Sequence, residues 1–323
     1  MFVMIILSCA TSFVVADEPD VLPNVEAAFA EASNAGALQT FPRGRLDVFA
    51  GGHIQGIQLQ RDPGRNRFLA FLSHDSQSQA YVVVAAFAKP WGQPGELLHV
   101  HRFSKGHLRH AGGFQLLGHL LAIGLEDNRS KDRSEIQFWN TADPTDWQQL
   151  SHLTIKRTGE PKDKTAGAVA IARQADHVVV AVANWDSRAI DFYRSSMLNL
   201  TDNHCRFEVL GRWTVHGAET SSWQPDKQFG SHQSVNLVAQ SDGTLYLLGF
   251  HQRSRRRNFV DLYAVDLSVA TRLSLRKVAA KQIRLSGDNH FKYGGGVTLH
   301  RGQMWFLSTE RTMNETVRIN VAK

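Results

Sequence analysis

Apolar and polar positions follow one another in an order that returns along the chain. Short apolar runs occupy 68–72, 120–125, 178–183, 245–250 and 304–307. Each is preceded by a turn sequence such as Asp62-Pro63-Gly64, Asp242-Gly243 or Arg301-Gly302. Each then breaks into polar residues: Ser73-His74-Asp75, Glu126-Asp127, Asn184-Trp185-Asp186, His251-Gln252 and Thr309-Glu310-Arg311. An alternating or β-branched run follows at 81–87, 135–139, 190–193, 260–265 and 316–321, and a further one at 97–103, 150–156, 208–215 and 277–285. Short, turn-bounded runs rich in Val, Ile and aromatics predict β-strands throughout.

A motif stands ahead of each group. His53-Ile54-Gln55-Gly56-Ile57-Gln58 returns as His110-Ala111-Gly112-Gly113-Phe114-Gln115, with degenerate copies beginning at Lys164, Ser231 and Tyr293. The fourth place is always small, at positions 56, 113, 167, 234 and 296, so the spacings are 57, 54, 67 and 62. Strands that crowd a central axis leave no room for a side chain at that place, which gives the small residue a structural reason. Four antiparallel strands recurring at this period resemble the β-propeller architecture, with loops longer than those of WD40 or kelch repeats. The resemblance covers about residues 45–323 and implies a five-bladed, all-β propeller of four-stranded antiparallel blades.

The ends predict how the ring closes. The last group stops at Lys323 after its third strand, and an unpaired strand candidate at 46–50 stands before the first. Pairing 46–50 with 316–321 completes the fifth sheet and removes exposed edges. The expected organisation is a signal peptide over 1–16, a tail or short helix outside the ring over 17–39, and one propeller domain over 40–323. No WD dipeptide series and no kelch signature accompanies the repeats. Five-bladed glycosidases are similar in outline but place three carboxylates around their inner strands. Here the first strands carry no Asp or Glu, so that activity is not carried over.

Composition narrows the compartment and the partners. Residues 2–16 are uncharged and mostly apolar, and Val14-Val15-Ala16 fits signal-peptidase cleavage after Ala16. No Lys or Arg precedes that run, so a buried N-terminal strand is the alternative, and Met4 is an alternative start to Met1. The expected place is secreted or periplasmic, with no integral membrane segment after signal removal. Lys and Arg number 36 against 30 Asp and Glu, giving +6 and favouring anionic partners. The densest basic cluster, Arg253 with Arg255, Arg256 and Arg257, lies between two strand-like runs without a recognition helix or stacking platform, which argues against nucleic acid. A monomer is expected.

Candidate chemistry concentrates at one mouth of the ring. In antiparallel blades the start of the first strand and the end of the second open on the same face. His53, His110 and Tyr293 stand at strand starts, and His74, Glu126, Asp186, His251 and Glu310 at strand ends. These eight residues are the expected binding set for a small polar or carbohydrate ligand. His53, His110 and His232 are candidate ligands for a divalent metal, Zn²⁺ or Mn²⁺, with carboxylate oxygen nearby. The competing function is a metal-dependent hydrolase or lyase acting on an anionic substrate such as an acidic polysaccharide. Whether the protein is an enzyme stays open, and no catalytic residue is assigned. The Gly, Asp and Pro turns of the opposite face suggest nothing beyond chain reversal.

Overall fold

The computed structural model describes residues 21–44, 51–88, 91–103, 106–254, 257–269 and 273–323. The expected signal peptide and the 46–50 segment lie outside them. The described chain opens with one helix, α1 (Val25–Glu31), and a strand, β1 (Ala37–Pro42). It then meanders through β2 (Ile54–Asp62), β3 (Arg67–His74), β4 (Tyr81–Ala88) and β5 (Glu96–Arg102). The next unit is β6 (His110–Leu117), β7 (Leu120–Glu126) and β8 (Arg133–Asn140), whose outer partner is split into β9 (Gln148–Gln149) and β10 (Ile155–Thr158). After it come β11 (Ala168–Arg173), β12 (Val178–Ala183), β13 (Ala189–Ser195) and β14 (Phe207–Thr214). Then follow β15 (Ser234–Ala239), β16 (Leu245–Ser254), β17 (Arg257–Asp266) and β18 (Ser274–Ile283). The chain ends with β19 (His290–His300), β20 (Gln303–Thr309) and β21 (Thr316–Ala322).

Within each unit the strands pair antiparallel in chain order, as in β2-β3-β4-β5 and β15-β16-β17-β18. The first strands lean on one another in a closed cycle: β2 on β6, β6 on β11, β11 on β15, β15 on β19, and β19 on β2. Four-stranded sheets arranged radially in this way form a β-propeller. A single parallel pair, Gly113 opposite Ala168, joins β6 to β11. Crowding at the axis is visible at Gly296, where a Cβ would stand 1.9 Å from the carbonyl oxygen of Ile57. Every larger residue there would push β19 off β2.

The closing strand is not the expected one. β1 pairs with β21 in the register Ala37 to Val321 through Pro42 to Thr316, completing the sheet β1-β21-β20-β19. The closing strand therefore straddles the expected boundary, taking 37–39 from the expected tail and 40–42 from the expected domain, and α1 is packed rather than loose. Asn24 caps α1, its Oδ1 accepting from the Ala27 N–H at 2.9 Å. Phe29 meets Phe306 edge-on with ring centroids 5.6 Å apart, and Val25 is fully buried beside it. Apolar faces of neighbouring sheets fill each junction. Leu72 and Val83 pack against Trp305 and Ile319, and Val179 and Phe192 against Leu247 and Tyr263. Each such side chain contributes about 1.5–3 kcal/mol when fully removed from water. Among the described residues no helix is long and apolar enough to cross a membrane.

Candidate functional site

The upper mouth, where the first strands begin, is built around an amide. Gln55 lies one residue inside β2, and its Nε2 is 2.9 Å from His53 Nδ1 and 2.7 Å from His110 Nε2. On the far side His110 Nδ1 lies 2.9 Å from Glu126 Oε1, because His110 and Glu126 are register partners in β6 and β7. Glu126 also accepts from the Trp185 indole N–H and from the Ala166 main-chain N–H. Asp75 answers the first imidazole, its Oδ1 lying 3.0 Å from His53 Nδ1 and its Oδ2 4.0 Å from His110 Nε2. The result is one continuous run of polar contacts from Asp75 to Trp185.

Burial sets the protonation in this run. Burial pulls the His110 imidazole down, but the Glu126 carboxylate beside it and then Asp75 outweigh this, and its pKa is raised. Burial pushes Asp75 up, yet the hydrogen bond from His53 and the charge of His110 hold it at about 2. His74 turns away, its Nδ1 on the Asp75 carbonyl and its ring stacked on Tyr81 at 4.8 Å; burial lowers it to about 4. A primary amide between two imidazole nitrogens donates to both when they are bare and, turned over, accepts when they carry protons. Gln55 can therefore bridge the two imidazoles in either amide orientation.

Only the rim of this mouth meets solvent. His110 and Glu126 are 7% and 0% exposed, against the expectation of an open pocket around them. The reason is that the carboxylate is shared with main-chain and indole donors from the next unit, which seals it. Tyr293 rests on the His53 ring at 4.3 Å, with the Arg311 guanidinium 5.1 Å and the Lys292 ammonium 5.4 Å from the tyrosine ring centre. Lys131 stands 4.7 Å over Trp185. Aromatic and cationic groups therefore border the acid Asp75.

The remaining predicted residues are engaged with other partners. Asp186 accepts from Gln233 Nε2 at 2.7 Å, and Glu310 turns to the Arg318 main-chain N–H at 3.1 Å. His232 does not join His53 and His110, so the expected three-histidine metal set is not assembled. It lies instead with His251 and Asp261 in a buried cluster, the potential ligand atoms within 4.8 Å of one another. There His232 Nε2 is 3.0 Å from the Tyr263 hydroxyl, which donates to Asp261 Oδ2 at 3.1 Å. His251 Nε2 and the fully buried Lys277 ammonium each lie 3.2 Å from that same oxygen. Burial lowers His232 to about 3, whereas the hydrogen bond from His251 and the charges of His232, His251 and Lys277 keep Asp261 at about 2 despite its burial.

The lower mouth holds what the sequence reading passed over. A cavity of about 700 Å³ opens where the first strands end, lined among others by Gln58, Gln115, Arg61, Arg173 and Arg301. Its amides are structural: Gln115 accepts from the Ile171 and Leu237 N–H groups and donates to the Leu237 carbonyl at 2.8 Å. The signal was present in the repeat. Arg61, Arg173 and Arg301 each stand five or six places after the small inner residue.

No protein-family model matches the chain, and no curated protein does. Solved structures are similar at low identity. A GH32 β-fructofuranosidase of Bombyx mori aligns at 12% identity and TM-score 0.48, over 91% of this chain and 64% of the other. An α-L-arabinofuranosidase of Podospora anserina, solved with cellotriose, aligns at 10% identity and TM-score 0.49, over 90% of this chain and 96% of the other. A Trypanosoma rangeli sialidase solved with the inhibitor DANA aligns at 10% identity and TM-score 0.39, over 88% of this chain and 57% of the other.

Proposed function

We propose that this protein is an exported, five-bladed propeller that binds a small polar or carbohydrate ligand at the upper mouth. The carrying observation is the platform of Tyr293 on His53, bracketed by Arg311 and Lys292 and set beside Asp75. A sugar offers an apolar ring face and a fringe of hydroxyls, which an aromatic face with flanking charged hydrogen-bonding groups complements. The buried run behind it holds His53 and Asp75 in place without itself touching the ligand. Calorimetric titration with a panel of neutral disaccharides tests the reading. Tyr293→Ala should weaken binding about tenfold or more, the scale of one lost stacking contact. Unchanged affinity would refute the platform.

A metal-dependent hydrolase or lyase is the second reading, and its donor set is His232, His251 and Asp261. Neutral imidazoles with a carboxylate suit Zn²⁺ or Mn²⁺. Lys277, however, already brings a positive charge to the Asp261 oxygen that an ion would use. Elemental analysis of the purified protein separates the readings: stoichiometric Zn or Mn, retained by wild type and lost by His251→Ala, moves the assignment to the enzyme.

A further inference from the structure

The lower cavity has no part in the function proposed above, yet its lining has a chemistry of its own. Arg61 ends on β2, Arg173 closes β11, and Arg301 sits in the turn after β19. Three first strands of one closed cycle thus each bring an arginine to the lining of a single cavity. Among the described residues Arg61 and Arg173 make no ion pair. The acid lining the same cavity is Asp242, whose oxygens already accept from the Thr244 N–H at 2.9 Å and the Gln240 amide at 2.8 Å. Cationic side chains therefore outnumber acids there, in a protein with a net charge of +6.

The base of the cavity is rigid. Gln58 reaches Asn236 at 3.4 Å, and Gln115 ties β6 to β11 and β15. These buried amides cross the axis between the inner strands. A volume of about 700 Å³ lies within the range of small-molecule sites, enough for a disaccharide with its substituents.

We propose that the lower mouth is a separate binding site for a small, multiply anionic ligand, an oligosaccharide carrying sulfate or carboxylate groups. Guanidinium forks pair with such oxyanions through two parallel hydrogen bonds, and three of them on one cavity select for more than one charge. This proposal stands independently of the upper-mouth reading.

The test is calorimetric titration of the full chain with sucrose octasulfate and digalacturonate. Binding of either anion in the lower mouth is expected, weakening as NaCl rises from about 50 to about 200 mM. The triple variant Arg61→Ala, Arg173→Ala, Arg301→Asn should lose about tenfold or more of that affinity, since charge-assisted bonds are removed; Asn tolerates the positive φ at Arg301. Should the triple variant fail to fold, Arg173→Glu alone should produce the loss. Absence of binding to both anions, or wild-type affinity in Arg173→Glu, would each overturn the proposal.

Discussion

The two mouths of the disc use charge in opposite ways. At the upper mouth imidazoles and carboxylates are spent on one another: His110 on Glu126, His53 on Asp75, and Trp185 on Glu126 again. At the lower mouth Arg61 and Arg173 are exposed, make no ion pair among the described residues and border an open cavity. Residue types that commonly perform chemistry therefore mark, in this chain, the place where neighbouring sheets are tied together. The side offering space carries ordinary turns in sequence. A polar group converging on an axis is a candidate site only if its hydrogen-bonding capacity is left over after the fold has been served.

The largest effect that would break this contrast is expected from Glu126. Glu126→Ala strands the His110 imidazole, the Trp185 indole and the Ala166 N–H in a buried setting. Removing one partner of a buried charged network costs about 3–5 kcal/mol, so the melting transition should fall sharply. Denaturant unfolding checks this. A loss under about 0.5 kcal/mol, the scale of an ordinary surface site, would show the upper mouth to be as free as the lower.

Acid titration is the next probe. Burial lowers His74 from 6.5 to about 4. The unfolded chain then takes up a proton that the folded protein refuses, so stability falls as pH drops from about 6.5 towards 4, at about 1.4 kcal/mol per unit well below 6.5. His110 runs the other way. Its raised pKa gives stability that is fully present below about 6.5 and is lost as pH rises through the folded value. His74→Asn should therefore make the acid limb of the stability profile shallower between about 6.5 and 4, by about 1.4 kcal/mol per unit, with His232 and His101 supplying the slope that remains and the limb above neutrality left in place. An unchanged slope would mean that His74 is solvated.

Much of this was readable from the chain, for reasons that also explain the misses. The period was legible because inner crowding forces a small residue such as Gly56 or Gly296 at each first strand, and because runs such as 178–183 are buried on both faces. The closing strand was not. Ala37–Pro42 alternates weakly, exposes Leu38, and buries mainly Phe41 and Gln39, so it carries less strand pattern than 46–50. That His110 meets Glu126 follows from their register at one hairpin. That Gln55 joins His53 to His110, or that Glu310 folds back on Arg318, depends on side-chain reach between strands, which spacing does not encode.

The smallest expected effect is at Arg173, and it is informative because it is small. An exposed arginine at a cavity rim, with no ion pair among the described residues, holds nothing else in place. Arg173→Ser should change unfolding free energy by less than about 0.5 kcal/mol. The direction at low salt should be towards stability, because one of several like charges around a single mouth is removed, and the gain should vanish as salt screens them. Thermal melts of wild type and variant across a NaCl series check both sign and salt dependence. A clear destabilisation would place Arg173 in a structural network like that of Glu126, and the two mouths would then differ in position alone.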